Sequence, residues 1–343
     1  MARVLVVGGG LAAALVEAEC ARRGHVVGVR AGHASAASRV AAGMFNPVSF
    51  QRVLPVWRAE EHLAAVHAVF RGLEARLGCN LLHEVPVLKV FGSADYAHLW
   101  STRIAEAHPV AAWLASGEAF PLPAGVEAPH GAGWVRAAGW VDVARLLDAW
   151  KALLQAHGRW EEGEWHADEG VPAGWDAVMD CRGVGAREDL ARWGLDLRPN
   201  HGEVLTVHAD GLPTDACVNA VSWVLPVGEQ TWRIGSTYRW DVVDDSVHAE
   251  SQGMLVERVA VVLPAVRGAE VVGHAGGVRP ASPDRRPWIG ELAPGHWVCN
   301  GLGTRGVLVG PWTVQRLVDA WEDSEVPVPS EVDVRRFRTF SPH

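Results

Sequence analysis

Three glycine-rich segments and one arginine carry the chemistry that residue type and spacing make visible. Gly8, Gly9 and Gly10 stand between a short apolar run, Arg3 to Val7, and a stretch of helical spacing and composition, Leu11 to Arg23. Gly24 breaks that helix, and Val26 to Arg30 reads as a second strand. Strand, glycine turn, helix and strand therefore fit into about thirty residues, the size of a nucleotide-binding βαβ unit. Gly8 makes the turn, Gly10 lets the backbone approach a pyrophosphate, and Ala13 is the third small position, where helix and strand pack closely. The N–H groups at the helix start turn a positive dipole end toward that anion. The acid that usually ends the second strand and accepts hydrogen bonds from a ribose is missing, and Arg30 and Ala31 stand there instead.

Two later segments have comparable character. In Ala275 to Gly290 (AGGVRPASPDRRPWIG), Arg279 ends a strand between glycines and a proline, so little backbone freedom remains around its guanidinium. A fixed planar fork suits a bidentate carboxylate; a structural ion pair with Asp284 is the competing role. Asn300 to Val307 (NGLGTRGV) alternates glycines ahead of a helix, which offers backbone N–H groups to an anion or a polar ring, or simply turns the chain. The sixteen histidines show no HxH or HExxH spacing, so no metal site is expected. His274 is a candidate pocket residue, with a structural role favoured.

Composition narrows the classes. A chain of 343 residues suits two domains or one composite domain, and a net charge of -9 argues against a nucleic-acid surface. The longest uncharged apolar run, Val4 to Val16, contains three glycines, is too short to span a bilayer and lacks a signal-peptide pattern. Cys20, Cys79, Cys181, Cys217 and Cys299 form no CxxC, which suits reduced thiols in a cytoplasmic protein. Lysine occurs only at Lys89 and Lys151, and tyrosine only at Tyr96 and Tyr238.

The elements that must position these residues follow from periodicity. One or two amphipathic helices are expected in Val53 to Leu77, a strand at Val85 to Phe91, and helices at Tyr96 to Ala107 and Val141 to His157, the latter capped by Asp142. A strand at Ala177 to Cys181 runs into Gly183. Strands then dominate: Glu203 to Val207, Ser222 to Val227 and Thr231 to Ser236. A helix at Met254 to Leu263, short strands at Val271 to Gly273 and Trp297 to Asn300, and a last helix from about Pro311 to Trp321 complete the chain. His33 to Gly43 is rich in small residues, which suits backbone running beside a ligand or a flexible loop.

Taken together, the segments resemble the D-amino-acid oxidase superfamily of FAD-dependent oxidoreductases, closest to its glycine/sarcosine-oxidase-like branch. The resemblance rests on GGGLAA at Gly8, ASRVAAGMFNP at Ala37, GWVDV at Gly139, MDCRGVGA at Met179, GEVL at Gly202 and IGSTY at Ile234. GGVRPASPDRRPWIG and NGLGTRGVLVGPW complete an ordered set spanning nearly the whole chain. It implies an α/β fold: a Rossmann-type FAD-binding domain (1–80, 134–200 and 270–343) with an inserted β-rich, antiparallel-sheet substrate domain (81–133 and 201–269).

The resemblance also implies roles. Gly8, Gly10, Leu11, Ala12 and Ala13 would hold the FAD pyrophosphate. Ser38, Arg39, Ala42, Gly43 and Met44 would line the phosphate and flavin side, and Gly183 would border the ribityl or adenine portion. Gly303, Thr304, Arg305, Gly306 and Val307 would meet the pyrimidine edge of the flavin, Arg279 would bind a substrate carboxylate, and Tyr238 would lie on a substrate-facing strand. Arg233 aligns with the lysine that promotes oxygen reduction in sarcosine oxidases, and no cysteine matches their covalent flavin attachment. Non-covalent FAD, a small amine or amino-acid substrate oxidised to an imine, and oxygen or another electron acceptor are expected. The alternatives are an FAD enzyme acting on a modified tRNA wobble uridine, a flavoprotein with degenerate catalysis, and a nicotinamide-dependent dehydrogenase. The net charge opposes the first and the C-terminal segments oppose the last.

Overall fold

The computed structural model describes residues 1–32, 37–117 and 120–337; His33 to Ala36, the start of the expected small-residue stretch, lie outside them. The chain opens with β1 (Arg3–Val7), α1 (Leu11–Arg22) and β2 (Val26–Ala31), where the glycine breaks require them. A short helix α2 (Ala37–Val40) precedes α3 (Ala59–Leu77), a single helix whose start is delayed past Pro55 and past Arg58, which has a left-handed backbone. Then come β3 (Val87–Val90), α4 (Ala94–Ala105), β4 (Leu114–Ser116), β5 (Ala132–Val135) and α5 (Val143–Ala156). Asp142 caps α5 as its side-chain type predicts, Oδ1 accepting from the Arg145 N–H at 3.0 Å.

The second half contains β6 (Trp160–Glu162), β7 (Ala177–Asp180), β8 (Arg198–His208), β9 (Cys217–Asn219), β10 (Trp223–Gly228), β11 (Thr231–Gly235) and α6 (Ala249–Ala260). It ends with β12 (Glu270–Ala281), β13 (Trp288–Ala293), β14 (His296–Asn300) and α7 (Gly306–Glu322). Helix α7 starts five residues before Pro311, because the glycine loop is short and the proline is accommodated inside the helix. Among the described residues no helix is long and apolar enough to cross a membrane.

Two large sheets organise the molecule. The first has the order β6-β2-β1-β7-β14-β13, parallel except for the β13–β14 pair. Val4 to Val7 are fully buried between α-helical and loop layers, as a central parallel strand requires. From β1 the chain moves one way to β2 and returns on the other side as β7, so a crevice opens at the carboxyl ends of these strands. The second sheet runs β12-β8-β11-β10-β9-β3-β5-β4 and is antiparallel apart from the β9–β3 pair. Leu255 and Val259 of α6 pack with Leu205, Val207, Trp232 and Ile234 on one of its faces.

One strand departs from its sequence reading. Val271 to Gly273 and a strand ending at Arg279 are expected as separate pieces, yet β12 runs unbroken through both and pairs with β8 from Glu270 to Ala281. It forms the sheet edge, where a proline without an N–H and several glycines are tolerated. Its residues, expected with the nucleotide-binding stretch 270–343, are thereby hydrogen-bonded into the second sheet.

Candidate active site

A long cleft runs from the carboxyl end of β1 to the β8–β12 pair. At its first end Gly8 adopts φ +125°, and a Cβ there would stand 2.5 Å from the Cys181 carbonyl oxygen. Only glycine, which has no Cβ, can take that backbone at that approach. Gly10, the N-cap of α1, has no side chain, and no acid occupies the first turn. Ser38 Oγ accepts from the Leu11 N–H at 3.1 Å, so a neutral hydroxyl sits where the helix dipole favours an anion. The structure thus has the backbone cradle, the dipole and the open approach that a pyrophosphate needs, and the FAD implied by the sequence fits this end.

At the far end β8 and β12 present alternate residues to the cleft. Asn200 pairs with Arg279 and Gly202 with Gly277 on one face, while His201, Glu203 and His274 face the other way. The Arg279 guanidinium donates to Asn200 Oδ1 at 3.0 Å and to Ser236 Oγ at 2.9 Å. A Cβ on Gly202 would fall on that guanidinium, so glycine there is a spatial requirement. Burial pushes the Arg279 pKa down, and the titratable group facing it is Tyr238, whose ring centroid is 4.9 Å from Cζ. Asp284 bonds Arg336 instead, at 3.0 and 3.1 Å, so the competing ion-pair role does not hold.

Arg305, after β14, also lines the cleft. Burial again lowers its pKa, and the ionisable groups acting on it are Tyr238 and Arg285. Two desolvated guanidiniums without an acidic partner among the described residues give this end a positive potential. Tyr238 is not within a strand; it lies three residues beyond β11 and is 59% exposed at the cleft mouth.

Most of the residues singled out from sequence come together here. Gly8, Gly10, Leu11, Ala12, Ser38, Ala42, Gly43, Met44, Gly183, Gly303, Thr304, Gly306 and Val307 line the cleft with Arg279, Arg305 and Tyr238. Three do not. Ala13 is wholly buried behind the turn. Arg39 reaches outward to Asp148 at 2.7 Å, because α2 turns that face toward α5. Arg233 donates to the Ala41 and Arg39 carbonyl oxygens at 2.9 and 3.4 Å, beneath the chain that lines the cleft. Burial pushes its pKa down while Asp142 opposes that.

Asn200, Ser236, Asn219, Trp223, Gly202 and Glu164 were not picked out as site residues; the last four line the cleft, as does Ser236. Alternation along a strand leading into Gly202 is the one signal that could have found Asn200. Behind the cleft, His201, Glu203 and His248 bring metal-ligand atoms within 4.8 Å of one another, but donors already occupy the Glu203 oxygens.

The family model described as DAO, FAD dependent oxidoreductase, matches residues 3–320. The chain is 28% identical to the glycine oxidase of Geobacillus kaustophilus over 94% of this chain and 93% of that one. The crystal structure of glycine oxidase from that organism superposes with a TM-score of 0.76, at 26% identity and covering 93% of this chain and 94% of that one. The D-amino-acid oxidase of Rubrobacter xylanophilus is 30% identical over 90% of this chain and 92% of its own. The tRNA 5-methylaminomethyl-2-thiouridine biosynthesis bifunctional protein of Paracidovorax citrulli is 28% identical, over 98% of this chain but 60% of its own. With its order of motifs, its two sheets and a model match along nearly its whole length, the chain belongs to the DAO family of FAD-dependent oxidoreductases.

Proposed function

We propose that the protein binds FAD non-covalently in this cleft and oxidises the C–N bond of a small carboxylate-bearing amine, an amino acid or an N-substituted relative, to the imine. Oxygen or another acceptor then takes the electrons. The observation that carries the reading is Arg279: a half-buried guanidinium oriented by two neutral acceptors, with no acid within reach among the described residues. Such a group favours an anionic ligand and fixes its orientation through a planar fork. Glycine oxidases and a D-amino-acid oxidase among the relatives support the same substrate class.

When bound, FAD supplies the acceptor for the hydride that leaves the carbon next to nitrogen. Gly8, Gly10, Leu11 and Ala12, with Ala13 packed behind, would hold the pyrophosphate. Ser38, Ala42, Gly43, Met44 and Gly183 would flank the rest of the cofactor. The Gly303 to Val307 loop would meet the flavin's pyrimidine edge, with Arg305 adding positive charge there. Arg279 would seat the substrate carboxylate so that the reacting C–H has one orientation, and Tyr238 would cover that ion pair at the mouth. Arg39 and Arg233 act only through their charge from outside the lining. No side chain stands out as a dedicated base, so the amine would enter neutral or lose its proton to water.

The five cysteines are free thiols, and the two that line the cleft, Cys181 and Cys299, lie in contact with each other at the pyrophosphate end. That placement supports non-covalent flavin. The cleft between the two sheets also supports the division into 1–80, 134–200 and 270–343 for FAD and 81–133 and 201–269 for substrate, with β12 shared. The test is anaerobic bleaching of the purified flavoprotein by a panel of amino acids and N-methylated amines. Amines with a carboxylate should bleach it and simple alkylamines should not; the reverse pattern, or protein without flavin, overturns the reading.

A further inference from the structure

We propose that Glu164 supplies the carboxylate that accepts the ribose hydroxyls of the FAD adenosine, the role left vacant at the end of β2. The inference rests on the reading that this cleft takes FAD. Neither residue at the end of β2 can do the work. Ala31 is 2% exposed, and Arg30 is drawn away by Glu161 at 3.2 Å and Glu169 at 3.7 Å.

Strand β6 runs parallel to β2 with Glu162 beside Ala31, and the Gly163 N–H donates to the Ala31 carbonyl oxygen at 3.1 Å. Glu164 therefore emerges at the same carboxyl edge as β2, next to the residue that follows it. That residue is Gly32, and a Cβ on it would fall on the Glu164 carboxylate. Absence of a side chain at position 32 is what lets a carboxylate from the neighbouring strand occupy the place. Gly32, Gly163 and Glu164 line the same cleft as Gly8 to Gly10 and Gly183. A ribose attached to a pyrophosphate at the start of α1 reaches the end of β2 in this topology. An ionised carboxylate with two acceptor oxygens matches a vicinal diol with two donors.

The test compares wild type, Glu164→Gln and Glu164→Asp for the dissociation constant of FAD, measured by flavin fluorescence on diluting the holoprotein, and for that of FMN, which has no adenosine. Glu164→Gln should weaken FAD about tenfold or more and leave FMN unchanged, with Glu164→Asp intermediate. Circular dichroism melting should show all three folded, since the residue is exposed. FAD affinity within twofold of wild type, or an equal loss for FMN, overturns the assignment. Wild-type protein that retains neither flavin overturns the cleft reading and the assignment with it.

Discussion

Arg279 and Asn200 face each other as a register pair across β12 and β8, and the Asn200 amide oxygen accepts from the guanidinium at 3.0 Å. Ser236 Oγ accepts a second bond at 2.9 Å. Both acceptors are neutral, so they orient the fork without discharging it. Burial works against the charge, yet an arginine stays protonated. The result is an oriented cation whose electrostatic partner has to come from a ligand.

Arg279→Leu should therefore abolish recognition of acidic ligands while leaving FAD in place. Truncating one side of a desolvated charge pair costs about 2–5 kcal/mol, so affinity for a non-oxidisable carboxylate should fall by roughly 30-fold or more. Arg279→Lys should lie between, because an ammonium cannot reproduce the fork. Titration with the carboxylate, followed by the flavin absorption spectrum, measures both. Unchanged affinity in the leucine variant would remove the carboxylate role.

Gly202→Ala tests the same geometry without touching the charge. Its Cβ would fall on the guanidinium, so Arg279 must shift. Gly202 has no left-handed backbone, so the fold should survive. Misplacement of a binding group by about an ångström is enough for a loss of roughly 10- to 100-fold in kcat/KM. Wild-type kinetics in this variant would mean that the position of the guanidinium does not set substrate affinity.

What the sequence disclosed was local. Gly8 to Ala13 lies between two runs of opposite periodicity, and Asp142 precedes its helix, so both could be read without knowing the fold. Arg279 was visible at a strand end because glycines and a proline bracket it, although the same residues concealed that this strand runs continuously from Glu270 along the sheet edge. Its acceptors were hidden: Asn200 and Ser236 are 79 and 43 residues away in the chain and meet it only through strand pairing. Arg39 was misplaced for the converse reason, since its partner Asp148 is brought to it by the packing of α5. Glu164 has no motif at all; only the β6–β2 pairing puts it beside Gly32.

Lys89 gives a pH signature of the second sheet. Its ammonium donates to Asn219 Oδ1 and the Ala220 carbonyl oxygen, both at 2.9 Å, with Phe50 and Tyr96 rings alongside. Burial pushes its pKa down from 10.5 to about 8. For a lysine depressed on folding, the penalty is fully present below pH 8 and disappears as pH rises through 10.5, where the unfolded chain also loses its proton. Stability should therefore rise over that interval in wild type and lose this rise in Lys89→Met. Urea midpoints between pH 7.5 and 10.5 measure it, and parallel curves for the two proteins would exclude a desolvated, penalised ammonium.

Glu203 joins stability to the site. It lies on the opposite face of β8 from Gly202, and its buried carboxylate accepts from the His248 N–H at 2.9 Å, Ser251 Oγ at 2.8 Å, His248 Nδ1 at 3.1 Å and His274 Nε2 at 2.8 Å. Thr237 Oγ1 accepts from the Glu203 N–H at 2.9 Å, and His201 exchanges backbone bonds with Arg239. Both ends of the segment carrying Tyr238 over Arg279 are thereby fastened to one strand. Burial pushes the Glu203 pKa up, but the backbone, hydroxyl and imidazole donors outweigh it and hold the group below 4.5. A depressed carboxylate stabilises the fold above its unfolded pKa and loses that contribution as pH falls through the lower folded value. Glu203→Gln should therefore melt several degrees below wild type at pH 7, a loss of about 2 kcal/mol. The gap should close as pH drops below 4.5. Because the anchored segment holds Tyr238, carboxylate affinity at pH 7 should fall as well. Thermal melts from pH 3 to 7 read the first effect and ligand titration the second. Coincident melting across that range would show that the charge on Glu203 contributes nothing to the anchor.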